Sequence, residues 1–324
     1  MFFAYDHASV RFTGRWAPLT GGMATTAAGS KLEFAFKGSL AVMHFDIHNI
    51  PSALPHLWIS VDGGDMAEAT VDHYLRVHCN ADGEHRVTVI YKGGQETMNR
   101  WYHPLGGKVH FLGFDADDCA ALPPQTKKTI ELIGDSITEG VLIDAQYAPI
   151  PADQENRPYE DDFLATYGCL TATALGLEPL PCAYGAVGVT RTGCGAVPPA
   201  PDMYGFCFDG APVTYPAADF VLINHGTNDR GASADTFAAA YRRLLDAVVA
   251  KNPQAKIAVI TPFCGAFHDE LFALVADYNK AHGTDIFVVD TAGWLPLDPL
   301  HPPRAGHRKA ADRLIPILRE HFGL

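Results

Sequence analysis

Four short patches carry residue types that together can break an ester. Gly134-Asp135-Ser136 holds a hydroxyl nucleophile, and Asp298-Pro299-Leu300-His301 holds an imidazole with a carboxylate three residues before it. Acyl transfer needs a hydroxyl made nucleophilic by a neighbouring base, and a group that orients that base. On a turn, this spacing lets Asp298 accept the Nδ1–H of His301 while Nε2 faces outward. Gly226-Thr227-Asn228-Asp229 adds a carboxamide, a neutral donor that can stabilise an oxyanion without titrating. Gly188, in Gly185-Ala186-Val187-Gly188, can offer a backbone N–H to an anion with no side chain in the way, and Gly185 competes for that role. Taken singly, each patch has a plainer reading as an N-cap, a turn glycine or a turn asparagine. Asp229 reads as a structural hydrogen-bonding residue. His307 is a rival base, but it falls in the first turn of a helix without an Asp at the same offset, so a surface or helix-start residue is its simpler reading.

These residues act together only if the chain gathers them, and its texture says how. Up to about Asp118 the sequence repeats short alternating apolar segments: Leu32, Phe34 and Phe36; Leu57, Ile59 and Val61; Val87, Val89 and Tyr91; Val109 and Phe111. Period two predicts strands, and Asp62-Gly63-Gly64, Asp82-Gly83 and Lys92-Gly93-Gly94 between them read as hairpin or loop signals. Residues 1–118 are therefore expected to form an all-β sandwich. Residues 119–127, with Pro123-Pro124, read as a linker.

From 128 to 324 strand and helix alternate. Thr129 to Ile133, Phe220 to Asn224, Lys256 to Thr261 and Ile286 to Val289 are apolar strands. Asp161 or Asp162 and then Ser233 cap helices carrying Phe163 to Leu175 and Phe237 to Val248. Alternation of this kind predicts a parallel sheet wrapped by helices, with ligands bound beyond the carboxyl ends of the strands. Three of the four patches fall after such strands, Gly188 after one that ends near Tyr184; the fourth lies on a loop before a last helix that starts near Ala305. Pro316 within that helix is expected to kink or break it.

Composition narrows the partners. The formal net charge is −13, from 37 acidic and 24 basic side chains, so the average field repels nucleic acid and anionic membranes. No run reaches the length of a membrane span, and Met-Phe-Phe-Ala-Tyr-Asp lacks the features of a signal peptide; a cytoplasmic chain is expected unless a leader was trimmed. Seven cysteines without a CxxC pair read as reduced and structural. His44 and His48 can share a strand face, but no third ligand is placed near them, so neither metal nor cofactor is expected. Oligomeric state is left open.

In order, Gly134-Asp135-Ser136-Ile137, Gly188, Gly226-Thr227-Asn228-Asp229 and Asp298-x-x-His301 resemble the blocks of the SGNH (GDSL) hydrolase superfamily. That resemblance implies a flavodoxin-like three-layer α/β/α domain and Ser136 as nucleophile. It further implies an oxyanion hole of the Ser136 N–H, Gly188 and Asn228, with His301 as base and Asp298 as its orienter. A jelly-roll domain in front, opening with Arg11-Phe12-Thr13-Gly14-Arg15-Trp16, resembles carbohydrate esterase family 2. Members of that family remove O-acetyl groups from plant polysaccharides such as xylan and glucomannan. By the same resemblance Trp294 is a candidate sugar platform, with a core Trp under the loop as the other reading. The aromatic stretch Cys194 to Tyr215 either shapes the cleft or is buried against the β domain. The expected function is hydrolysis of acetyl esters on an oligo- or polysaccharide through an acetyl-serine. An SGNH lipase or thioesterase, and an inactive carbohydrate-binding protein, are the alternatives.

Overall fold

The computed structural model describes residues 1–51, 53–145 and 158–324. The first part holds β1 (Phe2–Ala4), β2 (Val10–Thr13), β3 (Ala17–Leu19), β4 (Gly22–Thr25), β5 (Lys31–Phe45), β6 (His56–Val61), β7 (Ala67–Thr70), β8 (Tyr74–Gly93), β9 (Val109–Asp115) and β10 (Asp118–Cys119). Their ladders are antiparallel, in the order β3-β4-β9-β5-β8-β6-β7, with β1 on β9 and β2 and β10 on β5. The long strands β5 and β8 pair from Lys31↔Ile90 to His44↔Tyr74. On one side of Gly38 β5 takes β2 as its second neighbour; on the other it takes β9. The sheet therefore curls, and Phe34, Phe36, Met43, Val87, Val89, Phe111 and Phe114 fill the space between its halves.

One turn expectation is corrected here. Asp82-Gly83 does not close a hairpin, because β8 runs through it, and Gly83 pairs with Gly38 where the register shifts between Gly38 and Leu40. A glycine inside a strand marks a bulge or bend at least as readily as a turn. Asp62-Gly63 does turn the chain, between β6 and β7, with Gly64 N–H on Val61 O at 2.9 Å.

After residues 120–128, which carry no regular structure, come β11 (Thr129–Gly134), α1 (Ser136–Glu139), α2 (Tyr167–Ala174), β12 (Glu178–Ala183), α3 (Ala200–Met203), β13 (Phe206–Phe208), β14 (Ala211–Pro212), β15 (Phe220–Asn224), α4 (Ala234–Lys251), β16 (Lys256–Ile260), α5 (His268–His282), β17 (Phe287–Val289) and α6 (Arg304–Phe322). The main sheet is parallel throughout, ordered β12-β11-β15-β16-β17, the doubly wound flavodoxin-like order. Alternate residues of one strand serve opposite layers. Val221 and Ile223 pack with Phe237, Leu244 and Leu274 from α4 and α5, while Phe220 and Leu222 pack with Tyr167, Leu314 and Phe322 from α2 and α6.

The helix of residues 163–175 is interrupted. Asp162 caps a single 3₁₀ turn, Phe163–Ala165, and Thr166 then caps α2. The expected disruption at Pro316 is also corrected: α6 runs from Arg304 to Phe322 without a break. Pro316 lies on the exposed face, where water can take the carbonyl its missing N–H leaves free. In the stretch 194–215, Cys207 and Phe208 are buried with Ala17, Ala24 and Leu105 of the β half, which decides for packing over cleft lining. Arg15, fully buried, crosses between the halves to donate to the carbonyls of Tyr204 and Phe206 and to Cys182 Sγ.

Candidate active site

β11 delivers the first patch to the carboxyl edge of the sheet. The chain folds back so tightly there that a Cβ on Gly134 would stand 2.2 Å from Thr138 Oγ1, which is why the position is glycine. Asp135 caps the one-turn helix α1, its Oδ1 accepting from the Ile137 N–H at 3.0 Å. Burial pushes the Asp135 carboxyl up to about 7, against the pull of that amide. Ser136 opens α1, so its own N–H is one of the donors a helix start leaves without an internal partner.

The fourth patch meets the first across 165 residues: His301 Nε2 lies 2.9 Å from Ser136 Oγ. This is hydrogen-bond geometry between a hydroxyl and a base. Half-buried His301 has its pKa lowered from 6.5 by desolvation, so the ring is held neutral and able to accept a proton. A working base of this kind sets the acidic limb of kcat/KM. For 4-nitrophenyl acetate that limb is expected to have its midpoint below 6.5.

Asp298 departs from expectation. It is exposed, and among the described residues no hydrogen bond joins it to His301. A carboxylate on Nδ1 would raise the imidazole pKa, whereas among the described residues the cause acting on His301 is burial, which lowers it. Three-residue spacing gives Asp298 reach, but its carboxylate stays in water. The geometry is a Ser–His pair, not a joined triad. Asp298→Asn is accordingly expected to cost less than about 10-fold in kcat, against the roughly 10⁴-fold seen when a true orienting carboxylate is lost. A loss of that larger size, or an acidic midpoint above 6.5, would restore the triad.

The second and third patches meet around Val187. Asn228 Nδ2 donates to Val187 O at 3.1 Å; a carbonyl there requires the amino side of the carboxamide, which fixes its orientation. β15 pairs with β11 through Asn224↔Gly134, so Asn228 and Ser136 leave neighbouring strands at one edge. Among the described residues the second N–H of Nδ2 remains for a ligand.

Gly188 also departs from expectation. Its N–H is engaged by the Arg191 carbonyl at 3.1 Å. The cause is Asp229, whose carboxylate draws in the amides of Val189 (3.1 Å) and Thr190 (2.8 Å) and winds the loop into a turn. A Cβ on Gly188 would sit 2.4 Å from Asp229 Oδ1, so glycine is needed here for close approach of that carboxylate. The oxyanion donors that the geometry offers directly are the Ser136 N–H and Asn228 Nδ2.

Trp294 is 9% exposed and packs in the core with Leu295, Ala311 and Leu314, with the Arg313 guanidinium 5.8 Å from its ring centre. The sugar-platform expectation is therefore corrected in favour of the core. His307 is buried rather than at the surface; its Nδ1 accepts the Tyr167 N–H at 3.0 Å, and burial lowers its pKa to about 3. It is a structural acceptor, not a base. His44 and His48 bond to Asp115 and Asp46, and no group of metal-ligating side chains occurs among the described residues.

A serine and a neutral imidazole at the carboxyl edge of a flavodoxin-like sheet, beside a carboxamide, define a serine hydrolase of the SGNH type. The sequence profile of the GDSL-like Lipase/Acylhydrolase family matches residues 132–309, more than half of the chain, and the chain belongs to that family. It is a carboxylic ester hydrolase. No curated protein sequence matches it. Among solved structures it is similar to a family two carbohydrate esterase from Cellvibrio japonicus, with a TM-score of 0.81 and 20% identity over 100% of this chain and 98% of that one. An acetyl xylan esterase from the rumen bacterium Butyrivibrio proteoclasticus gives 0.80 and 18% over 100% and 98%. A family two carbohydrate esterase from Clostridium thermocellum, in complex with cellohexaose, gives 0.76 and 22% over 97% and 99%. The curled β domain and the parallel sheet are thus shared as one architecture.

Proposed function

We propose that the protein removes O-acetyl groups from carbohydrate, with Ser136 as nucleophile and His301 as general base. The observation that carries this is the 2.9 Å contact between Ser136 Oγ and His301 Nε2. Its setting, a two-part fold shared end to end with family two carbohydrate esterases, points to the substrate class. Ser136 Oγ attacks the acetyl carbonyl as its proton passes to His301 Nε2, and the resulting oxyanion is met by the Ser136 N–H and Asn228 Nδ2. Collapse breaks the bond to the sugar oxygen, which takes the proton from His301 and leaves as an alcohol. Water, deprotonated by His301, then attacks the acetyl-serine and releases acetate, restoring Ser136.

A recess of about 130 Å³ adjoins His301, lined by Leu142, Ala145, Pro299, Leu300 and Pro303 among the described residues. Acetylated xylan and acetylated glucomannan are the substrates this reading favours. Acetate release from either, followed by NMR to find the hydroxyl freed, is the test. Hydrolysis of 4-nitrophenyl acetate with none of either polysaccharide would assign the site to another small ester. No hydrolysis of anything by folded protein would leave only carbohydrate binding.

A further inference from the structure

The loop Gly94–Lys108, between β8 and β9, belongs by sequence to the β half but is built into the hydrolase half. Trp101 is 3% exposed and sits in the hydrolase core with Tyr184, Val187, Val197 and Met203. Arg100 beside it is 1% exposed. Its Nη1 donates to Glu139 Oε1, its guanidinium lies 5.2 Å from the centre of the Tyr184 ring, and its backbone N–H donates to Gly195 O at 2.9 Å. Glu139, 3% exposed, is the last residue of α1, three places after Ser136. Burial raises the Glu139 carboxyl, and the Arg100 guanidinium opposes that rise. The Gly185 N–H also pulls it down. Gly185 O in turn accepts from the Cys194 N–H at 2.8 Å. One buried ion pair thus touches the β half, the nucleophile's helix and the loop that runs on to Val187 and Gly188.

We propose that Arg100 is a positioning residue for the reaction: through Glu139 it sets the helix that presents Ser136, and through Tyr184 and Gly195 the loop against which Asn228 is anchored. The β half is then part of the catalytic unit and not an appended module. Arg15 is the instructive contrast. It is as deeply buried and also spans the halves, but it bonds Tyr204, Phe206 and Cys182 and faces the Glu131 carboxylate of β11 at 3.8 Å, so none of its partners is on α1. A guanidinium can bond a carboxylate and lie over an aromatic ring at once; an ammonium keeps the charge without that planar geometry.

The inference rests on the esterase reading, and its test separates the two. Arg100→Lys, Arg100→Met and the control Arg15→Lys are compared with the unsubstituted protein for kcat and KM on 4-nitrophenyl acetate, with thermal unfolding to establish that each is folded. Arg100→Lys is expected to lower kcat about 10- to 100-fold with KM within about twofold, the loss that small misplacement of reacting groups brings. Arg100→Met is expected to lose more, and Arg15→Lys to keep its kcat even if its melting point falls. Should Arg100→Met fail to fold, Arg100→Lys decides, because it keeps the buried carboxylate compensated. Folded Arg100→Lys with full kcat, or an equal kcat loss in Arg15→Lys, overturns the positioning role. An unsubstituted protein that hydrolyses no ester overturns the esterase reading instead.

Discussion

Ser136→Ala and His301→Ala are each expected to lower kcat on 4-nitrophenyl acetate by roughly 10⁴- to 10⁶-fold, and the double variant by little more than either alone. The non-additivity follows from geometry. At 2.9 Å the hydroxyl and the imidazole act as one unit: without the base the hydroxyl keeps its proton, and without the hydroxyl the base has nothing to activate. Neither substitution should unfold the protein. The capping bond from Asp135 to Ile137 does not use the Ser136 side chain, and among the described residues the His301 ring bonds only to Ser136. Steady-state kinetics with thermal unfolding of all three variants checks this. Activity within 10-fold of the unsubstituted protein in either single variant would place the nucleophile elsewhere.

Asn228→Ala carries the next largest effect, a kcat loss of roughly 100- to 1,000-fold with little change in KM, as for loss of one preorganised oxyanion donor. The weight on this residue increases because Gly188 N–H is engaged by Arg191, leaving two direct donors where three were expected. Asn228→Asp should be at least as damaging, since a carboxylate in the same place repels the developing oxyanion and cannot donate to Val187 O. Single-turnover rates for both variants measure the acylation step itself. Near-normal acylation in Asn228→Ala would move the oxyanion site back to the Gly188 loop.

Features set by local pattern were legible in the sequence. Strands buried on both faces read as continuous apolar runs, which placed β11, β15 and β16 and put Ser136 and Asn228 just past their ends. The pairing of Ser136 with His301 was legible because few side chains can serve as nucleophile and base. What stayed hidden depends on orientation or on distant partners. Asp298 has the spacing of an orienting carboxylate, but spacing does not say whether a carboxylate turns inward or keeps its water. Trp294 is the same letter facing a sugar or facing Ala311 and Leu314. Gly83 looks like turn chemistry because its pairing with Gly38, 45 residues away, is invisible locally. Arg100 and Glu139 lie on opposite sides of the linker, and no short motif joins them.

The most direct test of the central claim is to quench the protein within its first turnovers on 4-nitrophenyl acetate and map the acyl group by peptide mass spectrometry. One acetyl group is expected, on the peptide bearing Ser136, absent in Ser136→Ala and much slower to form in His301→Ala. Acetate release without any acetylated Ser136, or acetylation of a different residue at the catalytic rate, would contradict it.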